Sequence, residues 1–171
     1  MGKLLIIQGA DFSENAVDFQ ELNWSYLCGF IPTVGFTTNA SSSYYFANNC
    51  TDFEEKYVNK IELIFTDSIQ PTLNSEISVS VKRNEEFIVL DSHVVSNDDI
   101  TNKKVTLEFN NILMGVNELF YFHSTEGYVG GYSQGSTISP AQKLTEIVNV
   151  SGVVQNTYTN LPIGVNYYGR I

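Results

Sequence analysis

Two histidines, two cysteines and nineteen carboxylates are the reactive groups this 171-residue chain offers for acid-base, nucleophilic or metal chemistry. His93 stands in LDSHVV, and His123 closes ELFYFH with Glu126 three residues on. A His-x-x-Glu without a second histidine or cysteine nearby falls short of a zinc ligand set. Both histidines therefore read as rim residues bonded to backbone. Gly135-Ser136 lacks the flanking pattern of a nucleophile elbow, and Cys28-Gly29 stands alone. Gly130-Gly131 has no lysine and opens no helix, so it does not cradle phosphate. Two acids suited to glycoside cleavage can meet from any positions, but Glu85-Glu86 and Asp98-Asp99 sit in turns where solvation accounts for them. Oxygens of residues 11–15 or 97–99 could cage Ca2+, yet neither loop has the spaced acidic pattern with a closing glutamate. Turn chemistry is the default there. The expectation is a protein with no catalytic centre, no bound metal and no cofactor.

Cys28 and Cys50 lie in weakly polar or aromatic stretches, where a thiol behaves as a small hydrophobe. Free thiols are preferred over a disulfide because nothing marks the chain for export. Aromatic residues are the more promising class: tyrosine and tryptophan can stack on a sugar's apolar face, or anchor an interface, while offering a hydrogen-bonding edge. Trp24, Tyr26, Tyr128 and Tyr132 fall in loop-like contexts and are the candidate ligand-binding residues. The opposing consideration is that aromatic side chains in a β-sandwich more often fill core.

These residues must be positioned by strands. KIELIFTD, EISVSVKR, EEFIVLDS, KKVTLEFN and ELFYFH stand in file between Lys60 and His123, each rich in Val, Ile, Phe or Tyr. Ile77, Val79 and Val81 alternate with Ser78, Ser80 and Lys82, the period of a half-buried strand. Asn84-Glu85 supplies a hairpin turn, and Ser96-Asn97-Asp98-Asp99 breaks the next connection. Further strands are expected at residues 4–7, within the aromatic run 24–36, from Tyr44, and at 152–158 and 163–168. A helical turn is expected near Asp52, capped by Thr51 or Asp52. Residues 139–148 read either as a short helix opened by Ser139-Pro140 or, from Leu144, as strand. The glycine-rich segment 124–140 reads as loop. One all-β domain over residues 1–171, a β-sandwich with at most one or two short helical turns, follows.

The formal net charge of -10 and the absence of a basic stripe argue against nucleic acid and anionic membrane as partners. Charged residues make up 16% of the chain, below the roughly 25% usual for soluble domains. Asn, Ser and Thr carry the polar load instead, which suits contact surfaces. MGKLLIIQGADF is too short in apolar residues for a signal h-region, so synthesis in cytosol is expected.

The opening KLLIIQGADFSENAV resembles the N-terminal strand and turn of proteins encoded by gut Bacteroides and their crAss-like phages. The block from Lys60 to Phe122 is similar in rhythm to galactose-binding-like jelly rolls. The resemblance implies a jelly-roll virion structural protein, a head-decoration, fibre or collar component made in the host cytoplasm. It would contact other virion proteins, form a dimer or trimer, and present a surface to a cell-surface glycan. The alternative is a free carbohydrate-binding module of a gut bacterial protein. The first and C-terminal strands are the expected assembly contacts, as terminal strands often lie at sheet edges.

Overall fold

The computed structural model describes residues 25–30, 43–129, 142–158 and 164–170. The expected strand at 4–7, the oxygen-rich loop at 11–15, Trp24 and Tyr132 lie outside them. In chain order the elements are β1 (Ser25–Phe30), β2 (Tyr44–Cys50), a 3-10 turn (Thr51–Phe53), β3 (Tyr57–Ile64), β4 (Glu76–Arg83) and β5 (Glu86–Val94). There follow α1 (Asn97–Asn102), β6 (Lys104–Leu113), β7 (Phe120–Ser124), β8 (Gln142–Asn149), β9 (Val154–Tyr158) and β10 (Val165–Arg170). They form a four-stranded sheet, β1-β10-β3-β6, and a six-stranded sheet, β5-β4-β7-β2-β8-β9, antiparallel throughout.

With the β8–β9 hairpin set aside, eight strands remain among the described residues. The first pairs with the last, the second with the seventh, the third with the sixth and the fourth with the fifth. That is a long hairpin folded over on itself into two facing sheets, the jelly-roll arrangement. The β8–β9 hairpin is inserted before the last strand and widens one sheet by two strands.

Local chemistry explains the elements. Asn84 and Glu85 both hold positive φ, 52° and 64°, as the two-residue turn between β4 and β5 requires. The connection expected to be a loop at Ser96–Asp99 instead winds into α1. The Ser96 side chain accepts from the Asp99 backbone N–H, and the Asp99 carboxylate accepts back from the Ser96 N–H, a capping box. The turn at Thr51–Phe53 forms as expected in kind, but Cys50 is its N-cap and provides no side-chain cap. For residues 139–148, β8 favours the strand alternative.

Ile77, Val79, Val81, Phe120 and Phe122 from one sheet meet Ile61, Leu63, Leu107, Val165 and Tyr167 from the other in one core. Phe53 sits edge-on to Phe120 and Tyr167, at 5.4 and 4.8 Å between ring centroids. The buried Tyr167 hydroxyl donates to Asn48 Oδ1 at 2.8 Å, so its polar end is satisfied across the sheets. Gly169 is required by close approach, since a Cβ there would overlap the Tyr57 carbonyl of the neighbouring strand.

Two expectations are corrected. Cys28 and Cys50 are both buried, as read, but they form a disulfide joining β1 in one sheet to β2 in the other. Their separation of 22 residues conceals the fact that successive jelly-roll strands lie on facing sheets. The C-terminal strand β10 is not a sheet edge: it is hydrogen-bonded to β1 on one side and β3 on the other.

Candidate functional site

Each sheet has an outer face, and strand parity assigns the residues to it. Ile77, Val79 and Val81 line the core, so Ser78, Ser80 and Lys82 of β4 point outward. By the same alternation Ala47 of β2, Leu119 and Tyr121 beside and within β7, and Val148 of β8 form a second buried apolar cluster on this outer face, with the partly buried Tyr45 of β2 and Phe87 of β5 packed against it. The six-stranded sheet is therefore apolar on both sides.

The aromatic rings of this face form one assembly. Tyr45 and Phe87 stack at 4.4 Å with 10° between their planes. Tyr121 meets both edge-on, at 6.3 and 5.1 Å, and His123 is tilted against Tyr45 at 5.2 Å. Tyr45 comes from β2 and Phe87 from β5, with β7 and β4 between them. At ordinary strand spacing those two backbones are about 14 Å apart. The rings reach each other because both lean inward over the middle strands. Gly152, in the turn between β8 and β9 with φ 84°, lies against Lys82 Nζ and Phe87 and forms a wall of the face.

Polar groups without hydrogen bonds among the described residues accompany the rings. Ser80 Oγ is buried opposite Tyr121 and has none there. Glu146 of β8 is half-buried and accepts no hydrogen bond among the described residues. Burial raises its carboxyl above the ordinary range, and the charge of Lys82 only partly offsets this. The Tyr121 hydroxyl is pushed up to about 12, first by burial and then by the negative charges of Glu146, Glu85 and Glu118. Lys82 itself is bound at 3.0 Å to Glu85.

The outer face of the four-stranded sheet is built differently. Tyr26, 57% exposed, meets Tyr168 edge-on at 5.8 Å, and Lys60 Nζ lies 4.8 Å over the Tyr168 ring. The Tyr168 hydroxyl donates to Glu62 at 2.8 Å and Lys104 donates to the same carboxylate at 3.1 Å. Burial would raise the Glu62 carboxyl, but the bonds from Tyr168 and Lys104 and the charges of Lys104 and Lys60 hold it below its ordinary range. This network is closed on itself.

Of the sequence-derived candidates, Tyr26 is exposed on that second face. Tyr128 is half-buried against the core rather than displayed on a loop. The two share no ring contact. His93 is bonded not to backbone but to a carboxylate, Asp99 Oδ2, at 2.8 Å. That bond and the capping box occupy Asp99, so the 97–99 segment is a helix start and not an open oxygen cage. Among the described residues, no group of three or more His, Cys, Asp or Glu is placed to hold a metal ion, and no helix is long and apolar enough to cross a membrane.

Sequence reasoning placed Tyr45, Phe87 and Tyr121 only as strand residues. The available signal was in β7, where LFYFH is apolar at both parities, the mark of a strand covered on both faces. Compared with known proteins, the chain matches no family model, no curated protein and no solved structure.

Proposed function

We propose that this protein is a non-enzymatic structural component of a tailed-phage particle that turns the outer face of its six-stranded sheet toward a neutral glycan. The observation that carries the reading is the Tyr45–Phe87 stack, with Tyr121 edge-on beneath it and the half-buried carboxylate of Glu146 accepting no hydrogen bond among the described residues. Stacked rings offer a flat apolar platform to a sugar's C–H face. The half-buried Glu146 carboxylate beside them, which accepts no hydrogen bond among the described residues, suits its hydroxyls as an acceptor. That carboxylate and the net charge of -10 favour an uncharged sugar over an acidic one.

The particle setting is supported by the low charge and Asn/Ser/Tyr-rich composition, and by the opening's resemblance to phage-encoded chains. The Cys28–Cys50 bridge also suits display in an oxidising exterior. A glycan array probed with the wild-type chain and the Phe87→Ala variant tests the binding face. Signals on neutral glycans that disappear in the variant support it; equal signals for both, or none for either, reject it. Peptide mass spectrometry of purified particles tests the setting, and absence of this chain from them removes it.

A further inference from the structure

β9 is the outermost strand of the six-stranded sheet, one place beyond β8. In β9 Val154, Gln155, Asn156 and Thr157 are all exposed. On one side β9 pairs with β8, from Thr145 opposite Tyr158 to Val148 opposite Val154; among the described residues no strand pairs with its other side. Sheet edges are ordinarily blunted by charge or proline. VQNTY contains neither, in a chain that carries nineteen acids. Val150, Val153 and Val154 at the hairpin's turn add three exposed apolar side chains, at 53%, 56% and 48%.

The strand is also complementary to itself. An antiparallel two-fold pairing centred on Asn156 sets Asn156 opposite Asn156, Gln155 opposite Thr157 and Val154 opposite Tyr158. The first is an amide pair and the second an amide–hydroxyl pair, side chains able to hydrogen-bond to one another across strands. No charge of either copy falls within the pairing. We infer that β9 is a homodimerisation edge, joining two copies through antiparallel β9–β9 pairing into one continuous sheet across an isologous interface. This does not depend on the glycan reading, because β9 carries none of the aromatic assembly.

The test uses the full chain in sedimentation and light scattering. Wild type is expected at twice the 19.1 kDa chain mass. Asn156→Lys and Asn156→Asp, each alone, set like charges against one another at the two-fold axis and should weaken the dimer about tenfold or more. Mixing the two variants should restore it, because the opposed charges then attract. Circular dichroism and melting of each variant confirm that the exposed substitution leaves the fold intact. A wild-type monomer at all concentrations overturns the proposal. So does a dimer that both variants leave unchanged, or a mixture no more associated than its components.

Discussion

The two outer faces of this sandwich are both aromatic, yet they spend their polar groups in opposite ways. On the four-stranded sheet, Tyr168, Lys60, Lys104 and Glu62 satisfy one another beside Tyr26, and the carboxylate is held ionised by its neighbours. On the six-stranded sheet, Ser80 Oγ and the Glu146 carboxylate have no hydrogen bond among the described residues, and burial works against the carboxylate's charge despite Lys82. On the proposed reading, an exposed tyrosine is a poorer guide to a binding face than an unsatisfied polar atom beside half-covered rings. Groups that already have partners gain little from a ligand, whereas orphaned ones gain the whole bond.

The sharpest way to break that contrast is to measure binding on both faces. Phe87→Ala or Tyr45→Ala should weaken glycan affinity on the order of a hundredfold in calorimetric titration, by losing a stacked ring and its partner's packing. Tyr26→Ala should change it less than about twofold. The reverse ranking would exchange the roles of the faces.

Next in size is the tie between the sheets. Replacing both cysteines, Cys28→Ala with Cys50→Ala, should cost about 2–4 kcal/mol and lower the melting temperature by roughly 5–15 °C in scanning calorimetry. An unchanged melting temperature would show that packing alone holds β1 against β2.

Glu62→Gln tests the closed network, with an expected loss of about 1 kcal/mol once solvent screening of the lysines is allowed for. Because the folded pKa is depressed, this contribution is fully present above the ordinary carboxyl range and disappears as pH falls through the lowered value. The gap between wild type and variant in denaturant midpoint should therefore close on acidification. A gap that persists in acid would point to packing.

Smallest, and opposite in sign, is Glu146→Gln. A raised folded pKa means the native state is favoured at low pH and loses that advantage as pH rises through the folded value. The variant should be more stable than wild type at neutral pH, by less than about 1 kcal/mol after screening, and no more stable in acid. If instead it is less stable at neutral pH, Glu146 has a structural partner and the two faces are alike.

Much of the sandwich was legible because its strands alternate. EISVSVKR coincides with β4, and Asn84-Glu85 forms the turn, since both signals are local. The helix at Asn97–Asn102 is encoded just as locally, by Ser96 and Asp99, but its run of polar residues resembles a plain break. The disulfide and the central place of β10 were not legible, because both follow from pairing the first strand with the last. The candidate face was hidden for the same reason. Tyr45, Phe87 and Tyr121 are scattered over 77 residues of sequence and meet only when four strands lie side by side and their rings lean together.

The pairing of β1 with β10 has a consequence for how the chain is made. Ser25 finds its partner only at Gly169, so a nascent polypeptide must be made through β10 before the four-stranded sheet can be completed. Until then β3 lacks one neighbour and its apolar row is open to other chains. Contacts of such long sequence separation also slow closure, which lengthens the interval during which that open row can meet other chains.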